Sequence, residues 1–85
     1  MQWQEIRTHY PSQWLLVEAV EAHTDGRTRV FDDLAVIDAF ADSESALARY
    51  RDLHRAAPDR ELLVVHTSRE HLDVTVRQWL GIRTL

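Results

Sequence analysis

Residues 61–67 read ELLVVHT, and this stretch decides the fold of the chain. Its centre, from Leu62 to Val65, is an unbroken apolar run with polar residues on either side. Both faces of such a run avoid water, so it predicts a strand that is covered on both sides at the centre of a sheet. The alternative, a buried helix, is disfavoured because the run is short and contains β-branched residues.

A helix is predicted directly before this strand, over residues 42–57 (DSESALARYRDLHRAA). Asp42 or Ser43 can cap its first turn, and Pro58 ends it. The apolar residues of the segment recur at helical spacing and form one stripe for packing on a sheet: Ala46, Leu47, Tyr50, Leu53 and Ala57.

Two strands precede the helix and are predicted to form a hairpin. Residues 14–23 (WLLVEAVEAH) make the first strand, and residues 28–37 (TRVFDDLAVI) make the second. Asp25-Gly26 favours a type I′ turn between them, because that turn needs a positive φ at two positions. The second strand, the helix and the 61–67 strand then form a βαβ unit, so these two strands run parallel. With the first strand between them, the strand order is 2-1-3.

The remaining segments complete a single α+β domain over residues 1–85. Apolar residues at helical spacing predict a short helix over residues 3–10, and alternating apolar residues at 72–76 allow a short edge strand. The predicted architecture is a small, mixed sheet of three to four strands, built from a β-hairpin followed by βαβ. One long helix and the short N-terminal helix flank it.

Composition excludes several classes of function. The formal charge is −4, with no basic stripe, so we expect no nucleic-acid partner. All ten basic residues are arginine and there is no cysteine, which excludes Schiff-base lysine chemistry, thiol catalysis and Cys-ligated zinc. No apolar run approaches the ~20 residues of a membrane helix, and the N-terminus does not resemble a signal peptide. We therefore expect a soluble, cytoplasmic protein without a cofactor.

Acidic residues gather in the predicted hairpin. With Asp25-Gly26 as the loop, Glu18 lies opposite Asp33, and Glu21 and Asp32 lie close by. Like charges across a strand pair are unfavourable, so the placement needs a reason. Three reasons are open: a hard metal ion such as Mg²⁺ or Ca²⁺, a proton shared between two carboxyls, or a β-bulge at Asp32 and Asp33 that turns the charges to solvent.

Five histidines do not follow any known zinc spacing, and no metal site is predicted from them. His66, at the end of the apolar strand, is interpreted as a structural residue whose neutral ring hydrogen-bonds nearby backbone. The sequence His66-Thr67-Ser68 lacks the G-x-S-x-G context of a nucleophile elbow, so no catalytic residue is predicted.

Four segments together resemble a family of small uncharacterised bacterial proteins: WQEI at 3–6, YPSQWLLVEA at 10–19, ELLVVHTSRE at 61–70 and WLGIR at 79–83. The resemblance spans nearly the whole chain, although the hairpin matches loosely. It implies no activity, cofactor or catalytic residue. Some members are encoded beside a predicted small retropepsin-like aspartic protease, which suggests such a protein as a partner. This chain has no D-T-G or D-S-G motif of its own.

The favoured function is therefore non-catalytic, a module that binds a protein partner or itself. A strand that is apolar on both faces needs two covers, and the predicted long helix supplies one. We expect a homodimer through the other sheet face, to which Trp79, Leu80 and Ile82 contribute. The alternative is a small enzyme or a ligand- or metal-binding domain that uses Glu18 and Asp33 with a histidine, either His23 or His66.

Overall fold

A computed structural model of the chain describes residues 1–72 and the backbone of residues 74 and 75. Two helices and four strands follow one another along the chain, as the sequence indicates. They are α1 (Trp3–His9), β1 (Trp14–Asp25), β2 (Thr28–Phe40), α2 (Ser43–Ala56), β3 (Leu62–His66) and β4 (Val74–Thr75). The fold is α+β, as predicted, with two helices on an open sheet.

The sheet has three main strands, and the two-residue β4 lies beside β2. The spatial order is β3-β1-β2-β4, so the predicted order 2-1-3 is confirmed. The prediction of a mixed sheet is wrong, because every neighbouring pair is antiparallel. The βαβ connection does make β2 and β3 point the same way, but β1 lies between them and runs opposite to both. The same order makes β1 the central one of the three main strands, and β3 lies at an edge of the described sheet rather than at its centre.

β3 is nevertheless covered on both faces, as its apolar run predicts. Its residues from Leu62 to Val65 are at most 1% exposed. One face joins a cluster formed with α1 and the sheet: Trp3, Ile6, Leu15, Val17, Leu34, Leu63, Val65 and Leu72. The other face joins a cluster under α2: Leu16, Ala46, Tyr50, Leu62 and Val64. Each helix therefore covers one face of β3, so the short helix α1 supplies the second cover for this strand.

α1 is held against the chain that follows β3 by side chains that donate to backbone carbonyls. Trp3 Nε1 donates to the carbonyl of Arg69 at 3.1 Å, Arg7 Nε donates to that of Thr67 at 2.9 Å, and Gln4 Nε2 donates to that of Glu70 at 2.7 Å. A seven-residue helix is marginal alone, so these contacts and its buried face account for its stability.

The hairpin turn lies one residue later than predicted. Asp25 pairs with Thr28, so Gly26 and Arg27 form the loop. Only Gly26, with φ of +62°, has a positive φ in it. This is the pattern of a type II′ turn, whereas the predicted type I′ turn needs two such residues. Both turns match the right-handed twist of the strands, and the dipeptide alone does not decide between them.

Three bulges adjust the register between β1 and β2. The pairing skips Val20 on β1, and it skips Asp32 and Ile37 on β2. The predicted bulge at Asp32 is confirmed. An extra residue on one strand bends it and redirects neighbouring side chains, and the side chain of Asp32 is exposed.

α2 spans 14 residues, close to the ordinary length of a globular helix, so its description as long is not supported. Asp42 caps it, as predicted, and accepts a hydrogen bond from the backbone N–H of Ser45 at 2.8 Å. Ala46 and Tyr50 are buried on the sheet. No helix in the described part of the chain is long and apolar enough to span a membrane.

Candidate functional site

Glu18 lies on β1 and forms an ion pair with Arg60, the second residue before β3. Arg60 donates from Nε to one carboxylate oxygen at 3.0 Å and from a terminal nitrogen to the other at 2.8 Å. This two-bond geometry is the strongest form of an arginine–carboxylate contact. The hydrogen bond from Arg60 lowers the pKa of Glu18 below its ordinary value, against the opposing effect of burial. Glu18 is therefore charged and already paired within the chain.

Asp33 has a different partner. Its carboxylate accepts from the ammonium group of Met1, and the Met1 backbone also pairs with Leu34 in both directions. In the strand register Asp33 lies opposite Glu21, whereas Glu18 lies opposite Ala35. The predicted opposition of Glu18 and Asp33 is wrong, because the turn is shifted and the bulges move the register.

The two histidines of the alternative hypothesis lie in separate places. His23 Nδ1 is 2.7 Å from an oxygen of Asp32, and both side chains are exposed. His66 Nδ1 instead accepts the backbone N–H of Ser68 at 3.1 Å and lies 2.8 Å from the hydroxyl of the same residue. The His66 ring also packs edge-on against Trp14, with centroids 5.0 Å apart. The predicted hydrogen bond between the His66 ring and nearby backbone is confirmed.

A second arginine–glutamate pair, between Arg29 and Glu61, was missed by the sequence analysis. Arg29 on β2 donates from Nε to one oxygen of Glu61 at 3.0 Å and from a terminal nitrogen to the other at 2.7 Å. Glu61 in turn raises the pKa of the Arg29 guanidinium. No local pattern could have revealed this contact, because the two residues are 32 positions apart and meet only through the strand order.

The two arginine–glutamate pairs lie on opposite faces of the sheet, at the start of β3. Glu61 shares a face with Leu63 of the α1 cluster, because alternate residues of a strand point the same way. Glu18 shares a face with Leu16 of the α2 cluster by the same rule. The pairs thus tie the start of β3 to β1 and β2 from both sides, and the charges that precede β3 are neutralised.

Within the described residues, no group of three or more histidine or acidic side chains is placed to hold a metal ion. The residues predicted to contribute to a dimer, Trp79, Leu80 and Ile82, lie outside the described residues. The structure therefore brings the predicted site residues to separate partners: Glu18 to Arg60, Asp33 to Met1, His23 to Asp32 and His66 to Ser68.

The outer edge of β3 is the feature that the sequence interpretation missed. Thr67 donates from its backbone to Gln13, and Ala19 donates to the carbonyl of Glu61, so the odd-numbered residues of this stretch bond to β1. Antiparallel pairing alternates, so Leu62 and Val64 direct their N–H and C=O groups away from β1. In the described part of the chain no strand lies beyond that edge, but Leu62 and Val64 are 1% and 0% exposed, so these groups are not open to solvent.

The Glu18–Arg60 pair gives an expected dependence of stability on pH. The pKa of Glu18 is lower in the folded protein than its ordinary value of 4.5. A carboxyl group whose pKa is lower in the folded state than in the unfolded state adds to the free energy of unfolding. This contribution is fully present above the unfolded-state pKa and is lost as pH falls through the folded-state pKa. We expect the difference in unfolding free energy between wild type and Glu18→Gln to shrink between about pH 6 and pH 3.

Urea unfolding at a series of pH values measures this difference. The side chains of Glu18 and Arg60 are 26% and 38% exposed, so solvent screening keeps the effect modest. Arg60→Gln should remove the same pH-dependent contribution to the unfolding free energy. The double variant should lose no more of this contribution than either single variant does. A difference that stays constant with pH would contradict a role for the pair.

Comparison of this chain with known protein families, curated proteins and solved structures finds no match in any of the three.

Proposed function

We propose that this protein is a non-catalytic, cytoplasmic protein-interaction module that self-associates. The observation that carries the proposal is uneven cover on the α1 side of the sheet. The core residues of β3 and β1 in this cluster are fully buried, as is Leu34 of β2, but Ala19 of β1 and three residues of β2 are only partly buried against it: Phe31, Val36 and Ala39. Apolar residues that are only partly buried at the margin of a core form a surface that a second protein can bind and cover.

The length of α1 explains this uneven cover. Seven residues of helix extend roughly 10 Å, which is about two strand spacings. A helix of this length does not cover three strands along their whole length, and Phe31, Val36 and Ala39 of β2 remain partly buried. A second copy related by a twofold axis is the commonest way to cover such a row, because one patch then meets itself.

The internal ion pairs support a binding role over the alternative enzymatic or metal-binding role. Glu18 and Asp33 were the candidate ligands, and each carboxylate already has a cationic partner within the chain. A metal ion at either residue would have to displace that partner. Trp79, Leu80 and Ile82 remain proposed contributors to the dimer, and a small aspartic protease remains the proposed second partner on the ground of the family resemblance.

Sedimentation equilibrium over a range of micromolar concentrations tests self-association. We expect an average mass that rises from the 10.0 kDa of one chain towards twice that value. Trp79→Ala should shift the equilibrium towards monomer if that residue contributes to the interface. Arg51→Ala is the matched control, because Arg51 lies exposed on α2 and its loss should leave the equilibrium unchanged. A 10.0 kDa species at every concentration would overturn the proposal.

A further inference from the structure

Two bulges place the apolar residues of β2 on one face of the sheet. Side chains of a regular strand alternate between faces, and each extra residue at a bulge shifts that alternation by one. The pairing with β1 skips one residue in each half of this stretch, Asp32 and Ile37. Four residues of β2 therefore form one row on the α1 side, the β2 row: Phe31, Leu34, Val36 and Ala39. Leu34 is buried, and the other three are only partly buried.

β4 brings the chain to the hairpin end of this row. Thr75 pairs with Thr28, and β4 runs antiparallel to β2, so the backbone at Thr75 is directed away from Val36 and Ala39. Residues 76–85, which lie outside the described residues, read VRQWLGIRTL. Their apolar side chains are of the kind that could cover the β2 row, so the length of chain available to reach it decides which copy they can cover.

That length is too short for the far end of the row in the same chain. Trp79 is four residues after Thr75, so it can lie at most about 14 Å from it along an extended backbone. Val36 is eight residues along β2 from Thr28, which is roughly 26 Å. The chain would also have to reverse after Thr75, and a turn uses about four residues with little advance, so Ile82 falls short of Val36 as well.

The charges of the two surfaces are complementary. Residues 76–85 contain Arg77 and Arg83 and no acidic side chain. Asp38 lies between Val36 and Ala39 in the sequence, is exposed, and has no cationic partner in the described part of the chain. Its carboxylate accepts the backbone N–H of Ala39 at 2.8 Å, which holds it beside the row. An arginine of the segment can therefore pair with Asp38 while the apolar residues cover the row.

We propose that Trp79, Leu80 and Ile82 of one copy of this chain cover Val36 and Ala39 of a second copy, and that the second copy does the same in return. A twofold axis that sets the two β2 strands antiparallel brings the hairpin end of each row near the far end of the other. The segment after β4 then reaches the other copy without turning back. A second copy is favoured over an unrelated protein because the chain itself supplies both the apolar and the cationic groups.

This inference rests on the self-association proposed above, and it names the two surfaces that meet. Sedimentation equilibrium measures whether copies associate, and isotope-filtered NOE spectra of the same full-length chain measure which residues are in contact. In a mixture of isotope-labelled and unlabelled chains, we expect NOEs between the indole ring of Trp79 in one chain and the methyl groups of Val36 in the other.

Val36→Thr tests the same contact by affinity. Threonine retains the shape of the side chain but places a hydroxyl under the apolar residues of the other copy. We expect the dimer dissociation constant to rise by at least about fivefold, because a hydroxyl is buried without a partner. Val30→Thr is the matched control, since Val30 is also a partly buried residue of β2 but directly precedes Phe31 and so faces the other side. It should leave the dissociation constant unchanged.

The contrary outcomes are distinguishable. A dimer that lacks the NOE between chains, or that has the same dissociation constant for Val36→Thr and wild type, would overturn this contact and leave self-association standing. An NOE between Trp79 and Val36 that arises only within one chain would also overturn it, because the segment would then cover its own row. A monomer at every concentration would overturn both proposals.

Discussion

Leu63→Ala is expected to unfold a large part of the protein at ordinary temperature. Leu63 has no exposed surface, and it packs in the cluster between the sheet and α1. Truncation of a fully buried leucine costs on the order of 2–4 kcal/mol, because apolar contacts are lost and a cavity remains. A domain of this size has a total stability of roughly 5 kcal/mol, so little would remain. Val65→Ala should act in the same direction, and thermal and urea unfolding measure both.

Val20→Ala is the matched control for these core variants. Val20 is also an aliphatic residue of the sheet, but it lies at a bulge and is 56% exposed. Its truncation should change the unfolding free energy by no more than about 0.5 kcal/mol. Wild-type stability for both Leu63→Ala and Val65→Ala would contradict the burial of β3 on the α1 side.

Trp3→Ala is expected to have an effect of similar or greater size. Trp3 is 8% exposed and anchors α1 to the sheet, and its indole N–H donates to the carbonyl of Arg69. Loss of a buried tryptophan costs about 3–5 kcal/mol. α1 has only seven residues, so it should detach when this contact is lost. Far-ultraviolet circular dichroism and urea unfolding report the loss of helix and of stability.

Trp3→Phe separates the two parts of this contact. Phenylalanine retains most of the apolar packing but cannot donate to Arg69, so the cost should be about 1 kcal/mol. Equal losses for Trp3→Ala and Trp3→Phe would show that the hydrogen bond, and not the packing, holds α1. A Trp3→Ala variant as stable as wild type would contradict the docking of α1 altogether.

The candidate site shows where sequence reasoning reached its limit. The bulge at Asp32 and the hydrogen bond of the His66 ring to backbone could be predicted, because crowded like charges and the short separation of His66 and Ser68 are visible locally. The opposition of Glu18 and Asp33 could not be judged, because it depends on the register of two long strands. A shift of the turn by one residue moves every pair along the strands, and three bulges move it again.

Local sequence determined the elements of this protein, and tertiary structure decided their roles. The apolar run at Leu62–Val65 predicts a strand that is buried on both faces, because four consecutive apolar residues point to both sides of a strand. Asp42 determines the start of α2, because a helix cap depends on residues next to it in the sequence. Burial on both faces does not specify a position within a sheet. Two helices cover both faces of β3, so it can lie at the edge while β1 occupies the centre. Tertiary contacts decide that position and the partners of Glu18 and Glu61. Glu61 lies 32 positions from Arg29, and Glu18 lies 42 positions from Arg60, so no local pattern encodes either contact.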